Sequence, residues 1–255
     1  MNYLSILSPA DILLLTNQNT THSEFLKLTF LDLLLKKVIK TFEVERQPHP
    51  SQDIRVYKYI GIGEKYKTYI WKNHEAFFLS SFLSDNNTQI LFRNMVKIGY
   101  ENSRNKYHFK NELLKTPFLT KCYKKNFLQL IFGGQSISQY GYEVKEKIEK
   151  EIDVLNNDFK DIETIDNQKA IKYIKQIGGN VFLLKNINYD LLTQIDVDLA
   201  TEMNKNNFSE NSNGCSGCGF GDFSVSFDSG CSSSGCGGDS GCSSGCGGCG
   251  GCGGD

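Results

Sequence analysis

From Gly214 to Asp255 the chain contains no lysine, arginine, histidine or proline, and only four large apolar side chains: Phe220, Phe223, Val225 and Phe227. So few apolar groups cannot close a hydrophobic core, since ordering each residue costs roughly 1–2 kcal/mol of backbone entropy. Other absences mark the preceding part. Its four histidines, His22, His49, His74 and His108, are scattered, and none stands in an H-E-x-x-H or similar metal spacing. Each therefore reads as a surface or cap residue. Gly61-Ile62-Gly63 follows a strand-like run but lacks the third glycine of a dinucleotide loop, so it reads as a turn. With the usual catalytic signatures missing, a non-enzymatic protein is expected.

Long apolar runs are missing too. The most hydrophobic stretch, Leu26–Ile39, is broken by Lys27, Asp32, Lys36 and Lys37, well short of the roughly 20 apolar residues of a membrane span. The start, MNYLSILSPADILLL, lacks a basic leader. These features point to a cytoplasmic protein with no membrane partner. In that compartment thiols stay reduced, which favours metal ligands or reactive groups over a disulfide framework.

What the chain does have is a division. All 28 Lys and Arg lie in residues 1–205 with 24 of the 29 acidic residues, giving the body a charge of +4 and the remainder −5. The body reads as α+β and mostly helical, with two tandem winged-helix-like units. In the first, residues 1–71, Ser8 caps a helix with Pro9 in its first turn. Ser23 caps a second helix over 24–40, whose Phe25, Leu28, Leu31, Leu35 and Val38 follow helical spacing. Strands at 41–45 and 54–60 flank a Gln-Pro-His-Pro-Ser loop.

In the second unit, residues 72–160, the pattern predicts helices over 73–83, 88–102 and 106–115, with Pro117 ending the third. A strand pair at 119–123 and 127–132 follows, joined by a Lys124-Lys125-Asn126 turn, then a charged helix over 142–156. Cys122 reads as a small core residue in the first of these strands, and Trp71 as packing between the units. Residues 161–205 form an acidic helical appendix. It holds a helix over 167–177 stopped by Gly178-Gly179, an apolar run at 181–184, and a helix over 189–203. Residues 206–255 are expected to be a disordered Gly/Cys/Ser-rich tail.

The tail concentrates the chemistry: Cys215, Cys218, Cys231, Cys236, Cys242, Cys246, Cys249 and Cys252. The pairs 215/218, 246/249 and 249/252 have C-x-x-C spacing, which lets two sulfurs reach one tetrahedral ion. Closing a loop of about 28 residues between pairs costs only roughly 3 kcal/mol. Structural zinc contributes about 10–16 kcal/mol in small peptides, so zinc binding can win without a core. Eight thiolates suffice for two such ions at most.

Two other readings stand beside this one. The Gly-Cys and Ser-Gly-Cys clusters of residues 214–255 resemble the core peptides of thiazole/oxazole-modified microcins, which implies a modified precursor. A body of this size departs from the usual leader. The stretch Arg93–Lys125 carries nine Lys and Arg against Glu101 and Glu112. On a third winged-helix helix, Arg104, Lys106, Lys110 and Lys115 could meet phosphates beside a Lys124-Lys125 wing, with Tyr107 and Asn111 at base edges. That arrangement implies nucleic acid as a partner; without it, the partner is an unidentified protein.

A broader resemblance rests on the opening helices and strand pair, the Ile-Gly-Gly-x-Val-Phe-Leu-Leu stretch at 177–184 and the Gly/Cys-rich end. Together they resemble a bacterial family of uncharacterised proteins that carry a globular domain and finish in glycine–cysteine repeats. Many of its members carry membrane spans, which this chain departs from. The resemblance implies an architecture and no activity.

Overall fold

The computed structural model describes residues 2–124 apart from Pro48, Pro50 and Gln52, together with residues 135–159 and 173–185. Local signals set the first elements. Ser8 caps α1 (Pro9–Thr16) in a reciprocal capping box with Asp11, and Pro9 occupies the first turn. The helix α2 (His22–Leu35) is capped by Thr21, not by Ser23 as the sequence suggested. The reason is the partner at the third helical position. Thr21 places Glu24 there, whose carboxylate accepts the Thr21 N–H at 2.6 Å while the Glu24 N–H donates to Thr21 Oγ1 at 3.1 Å. Ser23 has Leu26 at the equivalent place, and no return bond is available.

The end of α2 also comes earlier than position 40. Lys37 adopts a left-handed backbone with φ 57°. Its N–H donates to the Leu34 carbonyl at 2.8 Å, and the Val38 N–H donates to Leu33 at 3.0 Å. This is a Schellman stop with lysine where glycine is usual. Gly63 makes that turn possible from outside: its N–H donates to the Val38 carbonyl at 2.8 Å, and a Cβ there would lie 2.1 Å from the Lys37 oxygen.

The strand pair follows at once. The strand β1 (Ile39–Arg46) pairs antiparallel with β2 (Arg55–Ile62), Ile39 opposite Ile62 and Arg46 opposite Arg55. Both strands outrun their sequence pattern by one to two residues at most ends, and Phe42 stacks on Tyr59 across the ladder at 5.9 Å. A short third strand, β3 (Ile90–Leu91), adds to β2 and gives the order β1-β2-β3.

Residues 73–83 form two 3₁₀ turns, Asn73–Glu75 and Ser80–Phe82, around the short helix α3 (Ala76–Leu79). Then come α4 (Phe92–Ser103) and α5 (Lys106–Leu114), the latter capped by Asn105. Pairing of Ile90–Leu91 with the sheet moves the start of α4 past position 88.

The strand expected over 119–123 is overturned for all but its last residue: residues 119–122 are helical. Pro117 does follow the end of α5, but it also begins α6 (Pro117–Cys122), at the first-turn position where its missing N–H is harmless. Only β4 (Tyr123–Lys124) remains extended, pairing with β5 (Ser136–Ile137). The long helix α7 (Gln139–Asp158) is capped by Ser138 and buries Val144, Ile148 and Leu155. Residues 173–177 are helical and tighten at Gly178, φ 55°, into a 3₁₀ helix, Gly178–Leu183.

The result is an α+β, mostly helical body around a single aromatic-rich core. Phe25, Phe30, Phe78, Phe82 and Phe109 are fully buried in it, and Phe109 lies 5.2 Å from both Phe25 and Phe77. The same cluster takes in Leu4 near the start and Leu184 near the end of the described residues. Trp71 is half-buried and packs on Tyr66 at 5.5 Å. No described helix is long and apolar enough to cross a membrane. The 124–126 turn, the 127–132 strand, the 189–203 helix and the 206–255 tail lie partly or wholly outside the described residues.

Candidate functional site

The densest polar chemistry of the body lies under the apolar shell, where α1, α2 and residues 69–75 converge. Asp11, Asp32, His74 and Glu75 are buried there, and two lysines reach in with side chains about 30% exposed. Asp11 Oδ2 accepts from the Ser8 N–H at 2.9 Å, from Ser8 Oγ at 2.7 Å and from Lys72 Nζ at 2.8 Å. Asp32 Oδ2 accepts from Lys36 Nζ at 2.6 Å, one helical turn away on α2. Lys36 also donates to Tyr69 Oη at 3.1 Å and lies 3.8 Å from Glu75 Oε1. The Tyr69 hydroxyl and the Lys72 N–H each donate to the Glu75 carboxylate at 2.7 Å.

Burial splits the behaviour of these groups. For Asp11 desolvation works upward, but the Lys72 charge, His74 and hydrogen bonds from Lys72 and Ser8 outweigh it and hold the carboxyl below its ordinary value. For Asp32 desolvation wins over Lys36 and raises the carboxyl, as it does for Glu75 despite the same lysine. Lys36 loses by burial but gains more from Asp32, Tyr69 and Glu75, so it stays firmly charged. His74 packs 5.8 Å from the Phe109 ring, and burial pushes it down to about 4. Among the described residues, Asp11 Oδ1, Asp32 Oδ1 and His74 Nδ1 have no hydrogen-bond partner.

Chemically this cluster fastens three segments together. Removing one member of a buried pair leaves an uncompensated charge and costs about 3–5 kcal/mol. Among the described residues, no group of three or more His, Cys, Asp or Glu stands where it could hold a metal ion. Sequence reasoning missed the cluster and took Asp32, Lys36 and Lys37 only as interruptions of an apolar run. The available signals were the Ser8/Asp11 capping spacing and the four-residue spacing of Asp32 and Lys36.

The histidine expectation needs correction at His74, which is neither a surface nor a cap residue but fully enclosed. His22 is half-buried, its Nε2 2.8 Å from Ser103 Oγ, and desolvation lowers it to about 4. Cys122 is a buried core residue as expected, although it ends a helix; burial pushes its thiol up to about 11, which keeps it inert at neutral pH. The eight tail cysteines, 215 to 252, and Lys125 lie outside the described residues.

The remaining basic residues fall around the α4–α5 corner and β4. Arg104 is exposed at the corner with φ 59°. Lys106 and Lys110 lie one turn apart on α5, and Lys110 is half-buried with its ammonium 6.0 Å from the Phe25 ring. Desolvation and the Lys106 charge lower the Lys110 pKa. Lys115 pairs with Glu112 at 2.6 Å, Tyr107 is exposed, Asn111 is half-buried, and Lys124 is exposed on β4. No protein-family model, curated protein or solved structure matches this chain.

Proposed function

We propose that the chain is a non-enzymatic binding or scaffold protein whose cysteine-rich tail coordinates a soft metal ion such as zinc. The observation that carries this reading is the C-x-x-C spacing of Cys215/Cys218, Cys246/Cys249 and Cys249/Cys252. The body supports it: helices α1 and α2 precede the β1–β2 hairpin, the element order expected of a winged-helix-like unit. In this reading the body recruits a protein partner in the cytoplasm and the tail holds the ion. Elemental analysis of full-length protein purified without chelators, with thiols kept reduced, tests it. Bound zinc lost on replacing the eight tail cysteines by serine is the expected result; metal-free protein under those conditions rejects it. An intact mass lowered by one water for each ring formed, and by two further hydrogens for each ring oxidised, would instead assign the tail to thiazole/oxazole-type modification.

A second reading draws on the exposure of Arg104 and Lys124 and the spacing of Lys106 and Lys110. In it these side chains bind the backbone of a nucleic acid, with affinity falling as salt rises. Lys106→Ala together with Arg104→Ala should weaken such binding several-fold. Binding indifferent to both changes and to salt removes this reading.

A further inference from the structure

The buried cluster holds one acid too many. Among the described residues, Asp11, Asp32 and Glu75 are opposed by Lys36 and Lys72 alone, three carboxyls against two ammonium groups, while enclosure keeps His74 neutral above about pH 4. Fully ionised, the cluster would carry an excess negative charge in a poorly solvated place, so it retains a proton instead. Asp32 is the member built to hold it. Its Oδ2 meets Lys36, while its Oδ1 has no hydrogen-bond donor among the described residues and faces the backbone of Gly179: a Cβ on that glycine would lie 2.2 Å from Oδ1.

Gly179 sits in the Gly178–Leu183 3₁₀ helix, whose docking is otherwise neutral. Asn180 Nδ2 donates to the Leu4 and Leu7 carbonyls at 2.7 Å each, and the Lys185 N–H donates to Asn156 Oδ1 at 2.8 Å. The charged groups around Asp32 are Lys36 on its own helix, Asp11 from α1, and Lys72 and Glu75 from the segment before α3. Lys175 and Lys185, the lysines of residues 173–185, are exposed. Thus nothing on the 3₁₀ helix offsets a negative charge at Oδ1.

From this geometry we propose that the Asp32 carboxyl is a proton-operated latch for residues 173–185: protonated, it lets the 3₁₀ helix close onto α2, and ionised, it loosens it. The sign follows from linkage. Closure of the 3₁₀ helix covers Oδ1 and so tightens its hold on the proton, which makes docking weaken as pH rises from the ordinary carboxylate range through the docked-state value. Desolvation is the main cause of that tighter hold, and Asp11 adds to it.

Hydrogen–deuterium exchange on the full-length protein, corrected for intrinsic rates, tests the latch. Protection of residues 173–185 should fall as pH rises above the ordinary carboxylate range, by about tenfold for each pH unit between that range and the docked-state value, while α4 keeps its protection. Asp32→Asn, which keeps the shape and cannot ionise, should give a flat profile. A flat profile in the wild type, or an unchanged pH dependence in Asp32→Asn, overturns the proposal. Should Asp32→Asn fail to fold, infrared spectroscopy of the wild type decides. A buried protonated-carboxyl band that persists above the ordinary carboxylate range and disappears as residues 173–185 lose protection supports the latch. No such band above that range refutes it.

Discussion

The body and the tail handle reactive side chains in opposite ways. In the body, acids and bases are drawn inward and turned on one another: Asp11 on Lys72, Asp32 on Lys36, Glu75 on Tyr69 and the Lys72 backbone. They are purchased with desolvation and serve to fasten α1, α2 and residues 69–75. In residues 214–255, eight thiols stand in sequence among glycine and serine without a single cation and with four large apolar residues. Under the role proposed above, their partner is an ion from solution. The contrast teaches that a polar residue's neighbours, more than its identity, decide whether it stabilises a fold or remains available to bind.

The strongest way to break the comparison is to leave a buried charge alone. Lys72→Met should destabilise the body by about 3 kcal/mol, because Asp11 is fully enclosed and loses its charged donor. Urea unfolding measures this; a change below about 0.5 kcal/mol would place the pair among ordinary surface contacts. Acid sharpens the picture next. His74 is held neutral down to about 4, so between its ordinary value near 6.5 and that lower value the unfolded chain binds the extra proton. Stability should therefore be lost as pH falls through that window, by roughly 3 kcal/mol. His74→Gln should remove most of that slope, which pH-dependent unfolding curves would register. Some slope should persist from His22, which is lowered for the same reason but only half enclosed.

A smaller effect is expected at the cap. Thr21→Ala removes one side of the box with Glu24 and should cost about 1 kcal/mol, whereas Ser23→Ala should leave α2 capped. Thermal denaturation of the two variants distinguishes them, and equal losses would put the helix start elsewhere. The smallest effect belongs to the exposed pair Lys115–Glu112. Lys115→Ala should change stability by less than about 0.5 kcal/mol despite a separation of 2.6 Å.

Much of the architecture was legible because it follows from local rules. The Ser8-Pro9 start, the β1 and β2 strands and the apolar spacing of Val144, Ile148 and Leu155 all needed only their own neighbourhoods. The errors arose where a local cue was ambiguous. Pro117 stops one helix and equally begins another, so the strand reading of 119–122 failed on a residue that fits both roles. Lys37 was invisible as a helix stop because its left-handed turn is set by the approach of Gly63, some two dozen residues later. The buried cluster was hidden for the same reason: Asp11 and Lys72 are partners only in three dimensions. His74 was misplaced because a single histidine carries no periodic signal of its burial. The tail's cysteines, by contrast, are conspicuous in sequence alone, through the C-x-x-C spacing of three of their pairs.

Native mass spectrometry of the full-length, reduced protein titrated with zinc tests the proposed role of the tail most directly. The expected spectrum shows one or two zinc ions on the wild type, with proton loss from the ligating thiols, and none on a variant with all eight tail cysteines changed to serine. Equal zinc uptake by both proteins, or none by either, would contradict the assignment of the sulfurs as its ligands.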